Sequence, residues 1–451
     1  MEKTDVLVIG GSASGVVAAT IGKSFHPNKD FLVVRNQNKV VVPCGIPYIF
    51  GSLENSGQNL IAEAVLTNAG VKFKIGEAVS IDQKSKVCAL ADGSEVSFEK
   101  LILALGSIPS IPKWLKGANL KNVFTIPKDK DYIDQILASL KPLKNVVIIG
   151  GGFIGVEVAD ELNKSGKHVT VVEILPHILE AAFDKEFAIR AEEILKSRGV
   201  DIKTGDGVKE LVGDKEVAGV LLNSGEQLKA DAVILAMGYR PNTALAEKSG
   251  IKLNEMGFIK VNEYMRTENP DILAVGDCAE KKSFLTGIHR NIMLASTACA
   301  EARIAALNLY KLSAIKMFRG TIAIYSTVVG DTAFGVAGVT ESLAKERGFS
   351  IVTGTFEGVD KHPAALNGTH KQIVKLIVAA ESGVIIGGQV LGGSSTGELT
   401  NLIGFAIENR MTVNSILTAQ IGTHPLLTAP PTAYPLIKAA EVIEKTRWVK
   451  S

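Results

Sequence analysis

The chain opens on an apolar run, Asp5 to Ile9, with no polar alternation, which predicts a short parallel strand covered on both faces. Gly10, Gly11, Ser12, Ala13, Ser14 and Gly15 follow, and then an alanine-rich stretch of helical character. Strand, glycine turn and helix recur about 140 residues later, where Asn145 to Ile149 runs into Gly150, Gly151, Gly152, Phe153, Ile154 and Gly155 and then the helical Val156 to Lys164. Each copy continues through short strands broken at Asp92-Gly93 or Ser224-Gly225, as in a β-meander inserted into an α/β fold. Each closes on an apolar strand with a small-residue turn, Leu101 to Ala104 before Gly106 and Ser107, and Ala232 to Ala236 before Gly238. After Arg319 the texture changes. Thr321 to Val329 and Ile373 to Val378 alternate as antiparallel strands do, and Thr340 to Arg347 and Thr396 to Glu408 read as helices. The expected fold class is α/β, with two Rossmann-like nucleotide-binding domains and a C-terminal α+β domain.

The chain has 451 residues, which sets a prior of about three domains. With 46% hydrophobic and 21% charged residues it is an ordinary globular protein, and a balance of 49 basic against 47 acidic side chains gives no electrostatic case for a nucleic-acid partner. The four cysteines, Cys44, Cys88, Cys278 and Cys299, show neither a CxxC nor a metal-ligand spacing, so no metal is expected and the reducing cytoplasm is the expected setting. The first apolar run is too short for a signal peptide and no later run reaches bilayer length, so the chain reads as soluble, without a membrane partner.

The second glycine cluster matches GxGxxG in full: Gly150 makes the turn, Gly152 lets backbone approach a pyrophosphate and Gly155 allows close helix–strand packing. Helix amides there would hold the phosphates. Eighteen residues past Gly155, at the end of the strand His168 to Val172, Glu173 would accept from a ribose 2′-hydroxyl and repel a 2′-phosphate, which favours NADH and leaves NADPH open. The first cluster departs from the pattern at Ser12, and its following strand, Phe31 to Val34, ends in Arg35, which would contact a phosphate or simply be solvated. Downstream, the apolar strand Ile272 to Val275 ends in Gly276-Asp277, an acid placed to reach a cofactor hydroxyl or to cap the next helix. Between the glycine motifs lies Pro43-Cys44-Gly45-Ile46-Pro47-Tyr48. A helix beginning near Gly45 would lower the Cys44 pKa and make it a nucleophile toward sulfur. No cysteine follows closely enough for a CxxxxC disulfide.

Taken together, the paired glycine motifs, Cys44 to Tyr48, Ala104 to Pro109, Gly238 to Asn242 and Gly276-Asp277 resemble the FAD-dependent pyridine nucleotide-disulfide oxidoreductases. The lone active-site cysteine is similar to the branch holding coenzyme A disulfide reductases, NAD(P)H sulfur or persulfide reductases and NADH oxidases. The resemblance implies an FAD-binding domain over 1–112 and 246–318, an NAD(P)H-binding domain over 113–245 and a dimerisation domain over 319–451. It implies FAD contacts from Gly10 to Gly15, Arg35, Pro43, Ala104, Gly106, Ser107, Gly276 and Asp277, and dinucleotide contacts from Gly150, Gly152, Phe153, Ile154, Gly155, Glu173 and Gly238. Phe153 would gate the flavin, Cys44 would attack a small disulfide, persulfide or polysulfide, and His424, before Pro425, would serve as acid/base from the other subunit of a homodimer.

The branch pattern is not followed everywhere. Ala13 stands where peroxidase and water-forming oxidase members carry histidine, which disfavours peroxide chemistry. Ile21-Gly22-Lys23 replaces arginines, and His362 to Leu366 and Leu427 to Pro431 replace tyrosine segments, that serve CoA in its disulfide reductases, so CoA remains open as a bound thiol. The expected activity is NAD(P)H-driven reduction of low-molecular-weight disulfide, persulfide or polysulfide through Cys44. The alternatives are an NADH oxidase using oxygen and a nucleotide-binding redox sensor with little turnover.

Overall fold

Val6 to Ile9 are buried on both faces, as an unalternating apolar run demands, and this places Glu2–Ile9 at the centre of a sheet rather than at its edge. The computed structural model describes residues 1–450. It contains two compact units: Met1–Trp114, Phe124–Leu143 and Met237–Thr321 form one, and Leu115–Val123, Lys144–Ala236 and Ile322–Ser451 the other.

In the first unit, Glu2–Ile9 pairs in parallel with Phe31–Arg35 on one side and Glu95–Leu103 on the other; Lys72–Ile75 extends the sheet beyond Phe31–Arg35 and Ile272–Ala274 pairs with Glu95–Leu103. The chain therefore leaves the central strand toward opposite sides of the sheet, which opens a crevice at the carboxyl ends of the strands. Helix Ala13–Phe25 packs on helix Ala295–Leu307. Ala298, Ala302, Ala305 and Ala306 set the buried stripe of the latter.

The second unit repeats the plan. Its parallel strands lie in the order Asp201–Thr204, His168–Glu173, Asn145–Ile149, Ala232–Leu235, with helix Phe153–Lys164 after the glycine turn. The C-terminal segment of this unit adds an antiparallel sheet in the order Tyr325–Val329, Thr332–Gly338, Ile385–Gly392, Lys371–Ala379, Ile351–Val359. Helix Thr396–Glu408 lies on it, with Thr400 seated against Gly335 and Ile403 against Gly388, and the terminal helix Pro435–Lys450 brings Ile443 onto Gly354. The strand expected from Thr321 starts only at Tyr325, since Ala323 sits at φ +61 and breaks the extended run. The α/β class with an α+β C-terminal segment stands as expected.

Candidate active site

The two glycine turns are built alike. Gly10 and Gly150 adopt φ +113 and +111, and a Cβ on either would strike the carbonyl oxygen of Ala104 or Ala236 at 2.2 or 2.4 Å. A Cβ on Gly15 or Gly155 would lie 1.9 Å from the carbonyl of Gly10 or Gly150, so each helix is pulled onto its own turn. Neither helix start is capped by a side chain: Ser12 and Gly152 are the N-cap residues and neither provides a side-chain cap bond. The first amides of both helices thus remain for an anionic ligand. Nothing lies within 4 Å of a Cβ on the exposed Gly152, so the backbone face that a pyrophosphate would approach is open. The donor sets and the open backbone fit dinucleotides at both turns.

The strand-end residues differ between the copies. Glu173 accepts from Gly151 N at 2.6 Å and Leu175 N at 2.9 Å, so its carboxylate is aimed over the second turn by two amides. Arg35 takes the matching place beside Gly11, whose Cβ would meet its Cδ at 2.7 Å. Of the two alternatives expected for Arg35, the solvated one does not hold. Its side chain is only 3% exposed, donates from Nη2 to Glu63 Oε1 at 2.9 Å and Asn38 O at 3.0 Å, and lies 4.6 Å from the Phe73 ring centroid. Its Nε has no hydrogen-bond partner among the described residues. Partial burial works against ionisation of Glu63, but the charges of Lys39 and Arg35 outweigh it and hold the carboxyl below its usual range.

Asp277 does not cap a helix. It sits in the short turn Gly276–Cys278, and its Oδ2 accepts from Ser107 Oγ and from Lys128 Nζ, both at 2.7 Å. Burial opposes its charge, yet Lys128 and the Ser107 hydroxyl keep its carboxyl below the ordinary value. Lys128 also bonds Ser107 Oγ at 2.9 Å and stands 5.6 Å from the Tyr239 ring, whose hydroxyl donates to Ile126 O. Gly106 and Gly238, at φ +71 and +86, flank the ribbon in which Ser107–Pro109 pairs with Tyr239–Pro241. Ser107, Asp277, Gly106, Gly238 and Ala104 are thereby brought to the carboxyl end of the first sheet. Lys128 was not legible: it is one of several lysines in a polar stretch, and its partner lies 149 residues away.

Cys44 is exposed. The helix expected at Gly45 is instead two short 3₁₀ turns, Pro43–Gly45 and Pro47–Phe50. Gly45 N donates to Val42 O and Ile46 N to Pro43 O, and the ring of Pro47 has no N–H, so the chain closes short turns here in place of a longer helix. A Cβ on Gly45 would fall 1.9 Å from Asn59 Oδ1, which fixes the turn against Ser56–Asn59. Burial pushes the Cys88 and Cys278 thiols up to about 11 and raises Cys299 as well.

In the second unit, Phe153 is half-buried and its ring stacks on Tyr325 at 5.1 Å and 8°. Four residues on, Glu157 accepts from Thr327 Oγ1 at 2.7 Å, and burial pushes its carboxyl up to about 7 against that bond, with Glu161 adding to the rise. His424 is exposed in a turn: its amide donates to Thr428 Oγ1 at 2.9 Å and its Nδ1 accepts from Leu426 N at 3.3 Å. His362 docks beside it, with N donating to Pro425 O at 3.0 Å and Nδ1 to Thr428 O at 3.1 Å. The two His-Pro segments are thus one structural feature. Asp184, Glu186 and Glu341 converge as a metal site would, but the cation among them is Lys375 Nζ, at 2.9, 2.6 and 2.7 Å.

Residues 4–302 match the family model described as pyridine nucleotide-disulphide oxidoreductase, and residues 324–434 match that family's dimerisation domain. The chain belongs to the pyridine nucleotide-disulphide oxidoreductases. It is 31% identical to an NADH oxidase of Enterococcus faecalis over 94% of this chain and 96% of that protein. It is also 31% identical to an NAD(P)H coenzyme A polysulfide/persulfide reductase of Pyrococcus horikoshii, over 98% of this chain and 99% of that one. Among solved structures, an NAD-dependent persulfide reductase from A. fulgidus superposes with TM-score 0.91 at 28% identity, covering 99% of this chain and 84% of that chain. As a member of the family, this protein is an oxidoreductase of FAD and NAD(P)H with a dimerisation domain at its C-terminal end. No helix among the described residues is long and apolar enough to cross a membrane.

Proposed function

We infer that this oxidoreductase spends NAD(P)H on sulfur: it reduces a low-molecular-weight persulfide, polysulfide or disulfide through Cys44. The observation that carries the reading is the contrast among the cysteines. Cys44 is exposed on a turn of the first unit, while Cys88, Cys278 and Cys299 are withdrawn and their thiols are raised by burial. Only the thiolate attacks sulfur, so the raised thiols are poor nucleophiles at neutral pH. The relatives named for persulfide and polysulfide reduction support the same substrate class.

The division of labour follows the two turns. The Gly10 to Gly15 turn with Ser107 and Asp277 would hold FAD, and the Gly150 to Gly155 turn with Glu173 would hold the nicotinamide dinucleotide, NADH in preference to NADPH. Residues 1–112 and 246–318 would then serve FAD, 113–245 NAD(P)H and 319–451 the contact between two copies. Phe153 would shield the nicotinamide side from water. Cys44 attacks the outer sulfur, a Cys44–sulfur bond forms as the substrate S–S bond breaks, and the leaving thiolate takes a proton, with His424 of a second subunit as donor. FAD, when bound, supplies the electron pair drawn from NAD(P)H that returns Cys44 to the thiolate. For a persulfide the balance is RSSH + NADH + H⁺ giving RSH + H₂S + NAD⁺. CoA is one thiol that would serve as R.

The relatives named NADH oxidase favour a second reading, with oxygen as acceptor. Anaerobic titration with NADH, followed by separate additions of CoA persulfide, polysulfide, CoA disulfide or air, tests both. Fast reoxidation by a sulfur compound, abolished in Cys44→Ser while slow reoxidation in air persists, is the expected result. Fast reoxidation by air alone, unchanged in Cys44→Ser, would give the case to the oxidase, and NADH binding with no flavin reduction would leave a redox sensor.

A further inference from the structure

Lys281 and Glu301 are charged, have side chains 0% exposed, and take no part in the chemistry described above. Lys281 Nζ lies 3.0 Å from Glu301 Oε1 and donates to Glu301 Oε2 at 3.1 Å, Gly276 O at 2.6 Å and Ala279 O at 3.1 Å. Glu301 Oε2 also accepts from Gly276 N at 2.8 Å. Both polar backbone groups of Gly276 therefore meet this one ion pair, Gly276 O accepting from Ala279 N as well at 3.0 Å. A fully enclosed ion pair is a poor source of stability, since desolvating two charges offsets most of their attraction and an apolar pair of similar volume does as well or better. Its location points to another role.

Gly276 sits at φ +77, and a Cβ there would meet Ser14 Oγ at 2.6 Å, so the turn is packed against the first turn of the helix that follows Gly10 and Gly11. The next residue is Asp277, held by Ser107 and Lys128. Glu301 stands on Ala295–Leu307, the helix that packs along Ala13–Phe25. One buried pair thus ties together the strand end that carries Asp277, the helix start that offers its amides, and the helix behind both.

We propose that Lys281 and Glu301 are positioning residues for the flavin nucleotide: they clamp Gly276 against Ser14, so that Asp277 and the free amides of the first glycine turn are in place before the cofactor arrives. The inference rests on the assignment of FAD to the first unit. A turn left unclamped would have to be ordered by the ligand, and that ordering subtracts from affinity.

The test compares wild type with Lys281→Met/Glu301→Leu, which replaces the charges by apolar groups, and with Lys281→Met/Glu301→Gln, whose side-chain carbonyl still accepts from Gly276 N. FAD is stripped and rebound, affinity is read from quenching of flavin fluorescence, and the thermal midpoint of each apoprotein is recorded. The Leu variant should bind FAD at least about tenfold more weakly, because Gly276 N and Ala279 O lose their partners, with an apoprotein midpoint close to wild type, because the desolvation of two charges is relieved; the Gln variant, which again accepts from Gly276 N, should recover much of the affinity. FAD affinity in the Leu variant within about threefold of wild type would overturn the proposal. Should a variant not fold, hydrogen exchange on the wild-type apoprotein decides: the Gly276 amide should be protected as strongly as Ile272–Ala274, and fast exchange that slows only with FAD would show that the cofactor, not the pair, orders the turn. Wild-type apoprotein that takes up no FAD would instead overturn the assignment of the first unit.

Discussion

Replacing Glu173 by alanine should collapse the preference for NADH over NADPH. In the structure the carboxylate is held by Gly151 N at 2.6 Å and Leu175 N at 2.9 Å, leaving lone pairs on both oxygens for a ribose diol. A hydroxyl bond to a carboxylate contributes about 1.5–3 kcal/mol, or roughly ten- to 150-fold in affinity. A 2′-phosphate in the same place would face the carboxylate at about 5 Å, where each charge pair costs about 3 kcal/mol at an effective dielectric near 20. With screening and relaxation taken from that sum, wild type should favour NADH by about a thousandfold in kred/Kd, and Glu173→Ala by about tenfold or less. The assay is the anaerobic rate of flavin bleaching at rising concentrations of each nucleotide, read as kred/Kd. The thermal midpoint is followed alongside, because the substitution also removes the acceptor for Gly151 N. An NADH to NADPH ratio in Glu173→Ala within threefold of wild type, or a wild type that prefers NADPH, would refute the reasoning.

Lys128→Met removes the cation from Asp277 and should destabilise the apoprotein by about 2 kcal/mol at neutral pH, less than for a fully buried pair because Lys128 is 28% exposed. The depressed Asp277 carboxyl contributes stability above its unfolded value that is lost as pH falls, so the gap between variant and wild type in denaturant melts should close below about pH 4; a gap independent of pH would tell against it. Glu157→Gln should act in the opposite sense. With its carboxyl pushed up to about 7, the protonated form suits the site, and the stability this brings is complete below the unfolded value and lost as pH rises through about 7. The glutamine variant should therefore gain on wild type between about pH 4.5 and 7, by a few kcal/mol at most, and thermal melts across that range that stay parallel would contradict it.

What was legible in the sequence is what the backbone itself imposes. The strand Asn145–Ile149 and the helix Thr396–Glu408 fall where the apolar pattern puts them, and the glycine turns follow from spacing, because a Cβ on Gly15 or Gly155 would fall 1.9 Å from a carbonyl oxygen. The helix expected near Gly45 is not there because the amides of Gly45 and Ile46 close one short turn and those of Ile49 and Gly51 another. The burial of Arg35 was not legible because the carboxylate that pairs with it, on Glu63, lies 28 residues downstream. Lys128 and the Lys281–Glu301 pair carry no local signature: their partners are chosen by where strands end in the sheet.

Lys375, on a strand of the C-terminal sheet, gathers Asp184, Glu186 and Glu341, and Gln389 adds a hydrogen bond to Asp184; two of these acids belong to the segment after the second glycine turn and the remaining groups to the C-terminal segment. Lys375 thus acts as a rivet between stretches of chain that a sequence-based boundary near Arg319 would separate. Cutting there would strip the Asp184 carboxylate of Lys375, Gln389 and the amides of Glu341 and Ser342 in one stroke, so an isolated dinucleotide-binding fragment would present to water a face shaped to be covered.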